Sequence, residues 1–190
     1  MNQELVIEAG KTEQQYWKDL WRYKELFGML AWRDISSRYK QTVVGFLWVI
    51  FRPLISMLAF TVVFGKIARL PSEGSVPYSL MVFAALLPWQ LFASAITATS
   101  ESLVGNSNLV SKVYFPRLLI PVSSVLVTIS DFLIGFCFLF GLMAWHQFLP
   151  KPQIFAVFPL TILTSILALG PGLMICSLNV KYRDFRFLLP

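Results

Sequence analysis

The sequence predicts an all-α polytopic membrane protein: an N-terminal amphipathic interface helix followed by about four transmembrane helices. Three observations carry that expectation. Of the 190 residues, 56% are hydrophobic and 14% are charged, whereas a soluble domain carries roughly 25% charged residues to cover its surface. Apolar runs long enough to cross a bilayer recur four times, each reaching the ~20 residues that a helix rising 1.5 Å per residue needs. The lysines and arginines gather in alternate connections instead of spreading along the chain.

Residues 1–12 are mixed and polar. Over 13–31 a helical period sets in: Tyr16, Leu20, Tyr23, Phe27 and Leu30 are spaced by three or four and share one stripe. Trp17 and Trp21 widen that stripe, while Lys18, Asp19, Arg22, Lys24 and Glu25 point elsewhere. Aromatics on one face and basic residues on the other suit a helix lying in the membrane interface; a helix docked on a soluble partner is the alternative. The first span is expected over 43–64, with Arg52 near one end, able to snorkel toward headgroups, and Pro53 beside it as a source of a kink. A loop rich in Gly, Ser and Pro covers 65–77. The second span is expected over 78–99 with Pro88 and Trp89 inside it, and a polar connection runs from Ser100 to Arg117. The third span, 118–145, is longer than one crossing requires, so it tilts or extends out of the bilayer. A short turn precedes the fourth span, 154–178, which Gly170-Pro171-Gly172 is expected to break. The chain thus divides into an N-terminal segment, 1–40, and a transmembrane domain, 41–190.

Orientation follows from the positive charges, which concentrate in cytoplasmic loops. Segments 1–40, 101–117 and 179–190 hold twelve Lys and Arg, and the loops 65–77 and 146–153 hold three. Both termini are therefore expected in the cytoplasm, as four crossings require. The sequence pI of about 9.5 is accounted for by those membrane flanks and does not call for nucleic acid. The first 40 residues lack the short apolar core of a cleavable leader, so the first span is expected to act as an uncleaved signal.

Several chemistries lack their residues. Cys137 and Cys176 both fall in apolar runs and His146 is the one histidine, which gives neither a disulfide framework nor a metal-ligand spacing. Gly10-Lys11-Thr12 resembles the end of a phosphate-binding loop, but that loop needs a glycine five residues earlier, where Leu5 stands, after a buried strand. ATP hydrolysis by this chain is not expected. No paired aspartates, serine–histidine pair or zinc motif lies within the spans. Asp131 is the one clearly intramembrane acid, without an obvious partner in the sequence. A lone acid against lipid is costly, so it faces other helices or a wet cavity. It reads equally as lining a pathway, along with Arg52 and Trp89, or as a structural hydrogen bond to a nearby Ser or Thr.

The run Arg33-Asp34 to Arg38-Tyr39-Lys40, then Gly45 and Trp48, resembles the signature that precedes and enters the first helix of ABC-2 type permeases, above all the polysaccharide exporters for O-antigen, capsule and teichoic acid. Val63-Phe64-Gly65, Pro77-Tyr78, the run from Asn108 to Arg117, and Tyr182-Arg183-Asp184 after the fourth span resemble further family elements in the same order. The resemblance covers about residues 20–190.

That resemblance implies a permease subunit in a bacterial inner membrane, not an enzyme and without a cofactor of its own. Two copies would pair with two ABC ATPase subunits, which bind the ATP and Mg, to export a lipid-linked polysaccharide among membrane lipids. It also implies an ATPase-coupling segment over about 103–117, with Asn108, Ser111, Lys112, Tyr114, Phe115, Pro116 and Arg117 as its residues; a plain cap and re-entry signal is the alternative. The basic residues of 18–40 would favour a pyrophosphate or anionic lipids. Trp48, Phe51, Trp89, Phe92 and Trp145 could line a glycan path, or be ordinary interfacial aromatics. An ABC-2 permease for a drug or another lipid, or a membrane assembly protein, are the competing functions. Family members carry six spans, so a chain ending at Pro190 is expected to be a fragment or a truncated reading frame, the first four helices of six.

Overall fold

A computed structural model of the chain describes residues 21–40, 43–71, 76–150 and 152–182. Among them the secondary structure is entirely helical. In chain order the elements are α1 (Lys24–Lys40), α2 (Val43–Phe60) continued by a π-helical stretch (Thr61–Ile67), α3 (Tyr78–Gly105), the short α4 (Ser107–Lys112), α5 (Leu119–Trp145), and α6 (Val157–Lys181) preceded by a 3-10 turn (Pro152–Ala156). Among the described residues, four segments are long and apolar enough to cross a membrane: Leu47–Ile67, Tyr78–Gly105, Leu119–Trp145 and Pro152–Lys181.

The first helix departs from the expected 13–31. The part before Trp21 lies outside the described residues, and α1 runs nine residues past Leu30 and Ala31 to absorb Arg33, Asp34, Arg38 and Tyr39. Its apolar stripe is covered by the chain itself. Leu30 is buried with Phe115, Leu119 and Ile120, and Tyr23, Leu26 and Phe27 pack around them. Trp32 in this helix and Trp21 just before it are exposed.

Helix α3 is the centre of the bundle. It packs against α6 and α5, and also against α2, while α1 packs on the first half of α5, from Leu119 and Ile120 to Asp131. Met57, Leu80, Phe83, Leu87, Phe132, Phe136 and Met143 form the main core. A second row of small residues, Ala95 and Ala168 with Val125, brings α3 and α6 close. Small residues drive such packing because lipid tails offer apolar side chains no incentive to leave them. The outer faces of α2 and α6 stay apolar and exposed, as at Ile55, Leu58, Ile162, Ile166 and Met174.

One span boundary and one expected break differ from expectation. Helix α3 continues to Gly105 instead of ending near Thr99. Ser100 and Ser102 there look like loop residues in sequence, yet both are buried and donate to their own helix, Ser100 Oγ to Thr97 O at 2.7 Å and Ser102 Oγ to Thr99 O at 2.7 Å. A hydroxyl satisfied by a preceding carbonyl lets a polar residue remain inside a helix. Gly170-Pro171-Gly172 does not break the fourth span either, because α6 passes through it unbroken. Pro53 and Pro88 are likewise internal to α2 and α3. Neighbouring helices and local adjustments let membrane helices carry prolines that a soluble helix would not.

Candidate functional site

Asp131 has partners that its sequence neighbourhood did not reveal. The Tyr39 hydroxyl donates to Asp131 Oδ1 at 2.5 Å, and Arg38 Nη2 lies 2.9 Å from Asp131 Oδ2. The last turn of α1 is thereby clasped to the middle of α5, joining two groups of residues that the sequence kept 92 positions apart. Neither nearby Ser nor Thr serves: Ser130 donates to Leu126 O and Thr128 to Val125 O. Burial first, then the hydrogen bond and the negative charge of Asp131, push the Tyr39 phenol well above the usual tyrosine range. It stays protonated at all physiological pH and remains the donor.

The clasp forms one wall of a cavity of about 360 Å³ between α1, α2, α3 and α5, with Arg38, Trp48, Arg52, Gln90, Ser94 and Asp131 on its surface. Of the three residues expected to line a pathway, Arg52 and Asp131 meet here. Trp89 does not: it is 64% exposed on the outside of α3, its ring tilted against that of Phe92, because one position along a helix turns a side chain by about 100° from Gln90. Gln90 and Ser94 were missed. They sit one turn apart in an apolar helix, and that i, i+4 polar pair was the available signal.

At the same end of the bundle, the segment after α3 folds onto α1. Arg33 Nη2 donates to Asn106 Oδ1 at 2.7 Å and also pairs with Asp34 at 2.7 Å. Asn106 Nδ2 in turn donates to Ser102 O, tying the start of α4 to the end of α3. The expected coupling residues then divide. Asn108, Ser111, Lys112, Tyr114 and Arg117 are exposed. Phe115 and Pro116 are buried, Phe115 against Leu30. After α4 the chain turns extended at Val113, and alternation along an extended strand sends Tyr114 and Phe115 to opposite sides. Phe115→Ala is expected to destabilise the chain by about 3–5 kcal/mol, the usual loss for an emptied aromatic site. Tyr114→Ala should leave thermal unfolding unchanged; equal effects of the two would show that Phe115 is not seated in the core.

The remaining motif residues are less informative. Lys40 ends α1 and Gly45 lies in the first turn of α2. Tyr182 follows α6 half-exposed, with Lys181 Nζ 5.2 Å from its ring centre. Arg183 and Asp184 lie outside the described residues. No group of three or more His, Cys, Asp or Glu able to hold a metal occurs among the described residues.

Comparison with known proteins fits this arrangement. The family model described as ABC-2 type transporter matches residues 25–190, beginning at α1. The chain is 30% identical over 171 residues to an O-antigen export system permease protein, RfbA, of Klebsiella pneumoniae, covering 85% of this chain and 62% of that relative. It is 26% identical over 174 residues to the protein of the same name from Myxococcus xanthus, covering 90% and 65%. A capsule polysaccharide export inner-membrane protein, CtrC, of Neisseria meningitidis is 24% identical over 168 residues, covering 85% and 61%. The chain therefore spans just under two thirds of the length of these relatives.

Proposed function

Because the chain belongs to the ABC-2 type transporter family, we propose that it serves as the multi-pass membrane subunit of an exporter that moves a lipid-linked polysaccharide across a bacterial inner membrane. The names of its relatives, O-antigen export permease and capsule export protein, support that substrate class. In this reading the subunit does no hydrolysis. Two copies act with two ATPase subunits that bind ATP and Mg. The excess of positive charge in the segments at the α1 end of the bundle supports a cytoplasmic N-terminus.

One observation carries the coupling role. The segment 106–117 has an inner face locked to α1 through Asn106 and Phe115, and an outer face on which Asn108, Ser111, Lys112 and Tyr114 are exposed. A partner pressing on the outer face moves α1 with it, and α1 is clasped through Arg38 and Tyr39 to Asp131 in α5. Force from an ATPase thus has a continuous route of packed and bonded groups into the membrane.

Cysteines at Asn108, Lys112 and Tyr114 should crosslink to a co-expressed ATPase subunit. A cysteine at Trp145, 84% exposed at the other end of α5, should not. Absence of crosslinks across the whole segment would remove the coupling role. Lys112→Glu should lower export with membrane insertion retained; lost insertion would instead make Lys112 a topological signal.

A further inference from the structure

The cavity behind the clasp has an unusual balance of donors. Arg38 is neutralised by Asp131 and Tyr39 donates to the same carboxylate. Arg52, on the facing helix α2, has no ion-pair partner among the described residues, and the side chains of Gln90 and Ser94 make no hydrogen bond among them. Three side chains from two helices therefore present unused N–H and O–H groups to one space. With two guanidiniums and one carboxylate on its walls, that space carries a formal charge of +1. Its volume lies within the ~300–1,000 Å³ typical of small-ligand sites.

We propose that this cavity binds a phosphate group carried on a membrane lipid. The chemistry selects the ligand. Only an anion with several acceptor oxygens can use a guanidinium, an amide and a hydroxyl together, and the planar fork of Arg52 matches a phosphate with two parallel hydrogen bonds. An unpaired cation in a membrane-spanning segment is costly unless an anion or the headgroup layer meets it. Arg38 can contribute by turning from Asp131 toward the ligand, with Tyr39 still holding the carboxylate. A lipid is favoured over a free ion because the cavity lies among three spanning helices and shares Leu87, Leu91 and Phe132 with a second cavity of about 360 Å³, lined by apolar side chains apart from Thr161 and Thr164. An amphiphile has adjoining places for head and chain.

The phosphate has two possible carriers, an ordinary anionic phospholipid or the polyprenyl pyrophosphate of a lipid-linked glycan; the second rests on the export reading above. The full chain, reconstituted in phosphatidylcholine discs, would be offered polyprenyl pyrophosphate, phosphatidylglycerol or uncharged polyprenol, with retained lipid counted by native mass spectrometry. The pyrophosphate is expected to be retained and polyprenol not. Arg52→Gln should lower retention about tenfold or more, as loss of a charge-assisted contact does, with Arg52→Lys intermediate. Gln90→Leu and Ser94→Val, which leave the charges intact, should each weaken it less. Retention of phosphatidylglycerol equal to that of the pyrophosphate upholds the site and assigns it to headgroups; preference for the pyrophosphate upholds it and assigns it to the substrate. Unchanged retention in Arg52→Gln, or polyprenol held as well as the pyrophosphate, overturns the proposal. Binding is read without transport, so failure of export with binding intact would count against the function and not against the site.

Discussion

Gly172→Leu is expected to unfold the bundle at a temperature well below that of the parent, while Gly170→Leu, two residues away in the same helix, leaves it unchanged. A Cβ at position 172 would come within 2.8 Å of Thr99 Cβ and 2.9 Å of its Cγ2, whereas a Cβ at 170 meets nothing within 4 Å. Thr99 is fully buried and β-branched, so it cannot swing aside within its helix. Ala168 and Cys176, one turn before and after Gly172, are buried as well, so the whole strip of α6 lies against α3. A leucine must push the two helices apart. That separates Asn179 Nδ2 from Ser100 O, now 3.0 Å apart, and opens the contact between Cys176 and Ser102. Overpacking costs about 1–3 kcal/mol in ordinary cores and more where backbones cannot move. Both substitutions gain the same helix propensity, roughly 0.8 kcal/mol over glycine, so the difference between them isolates the packing. The check is thermal unfolding in detergent; indistinguishable midpoints would mean that α3 and α6 do not approach as described.

What could be read in the sequence depended on whether a signal was local. Spans are set by the length of apolar runs, so three of the four begin within two residues of expectation, at Tyr78, Leu119 and Pro152. Failures arose where a third helix decides. Ser100 and Ser102 looked like the start of a loop until burial and their own carbonyls kept them helical. Gly170-Pro171-Gly172 looked like a break, yet Gly172 is there for the contact with Thr99. The stripe of α1 was legible, but its cover was not: amphipathicity gives a face and not a neighbour, and here the neighbour is Phe115. Asp131 is the sharpest case. Its cost in a membrane was evident from type and position, and its partners were already singled out as a motif in α1. Nothing short of the fold could show that Arg38 and Tyr39 reach it.

That clasp underlies the second large effect: Asp131→Arg should abolish accumulation of the folded chain, and adding Arg38→Asp should restore much of it. Helix α5 has 27 residues, about 40 Å at 1.5 Å each, which exceeds a hydrocarbon core of ~30 Å. Asp131 lies twelve residues from its start, about 18 Å in, so it sits within the spanning stretch at a depth where α1 still reaches. Its side chain is 18% exposed and that of Arg38 is 47%, so the pair is neither in bulk water nor fully dry. Reversing the charge at 131 places a third guanidinium beside Arg38 and Arg52 around one small cavity. At 4 Å and an effective dielectric near 20, each like-charge contact is unfavourable by about 4 kcal/mol. Exchanging the two charges turns the contact with position 38 back into an attraction, leaving only Arg52 as a like charge, and leaves a hydroxyl at Tyr39 able to accept from the new arginine. Tyr39→Phe isolates the remaining bond and should cost less, about 1.5–3 kcal/mol for a hydrogen bond to a charged group. A double-mutant cycle on folded yield and unfolding temperature reads the coupling. Equal damage from the single reversal and the double exchange would show that Arg38 and Asp131 do not act as a pair.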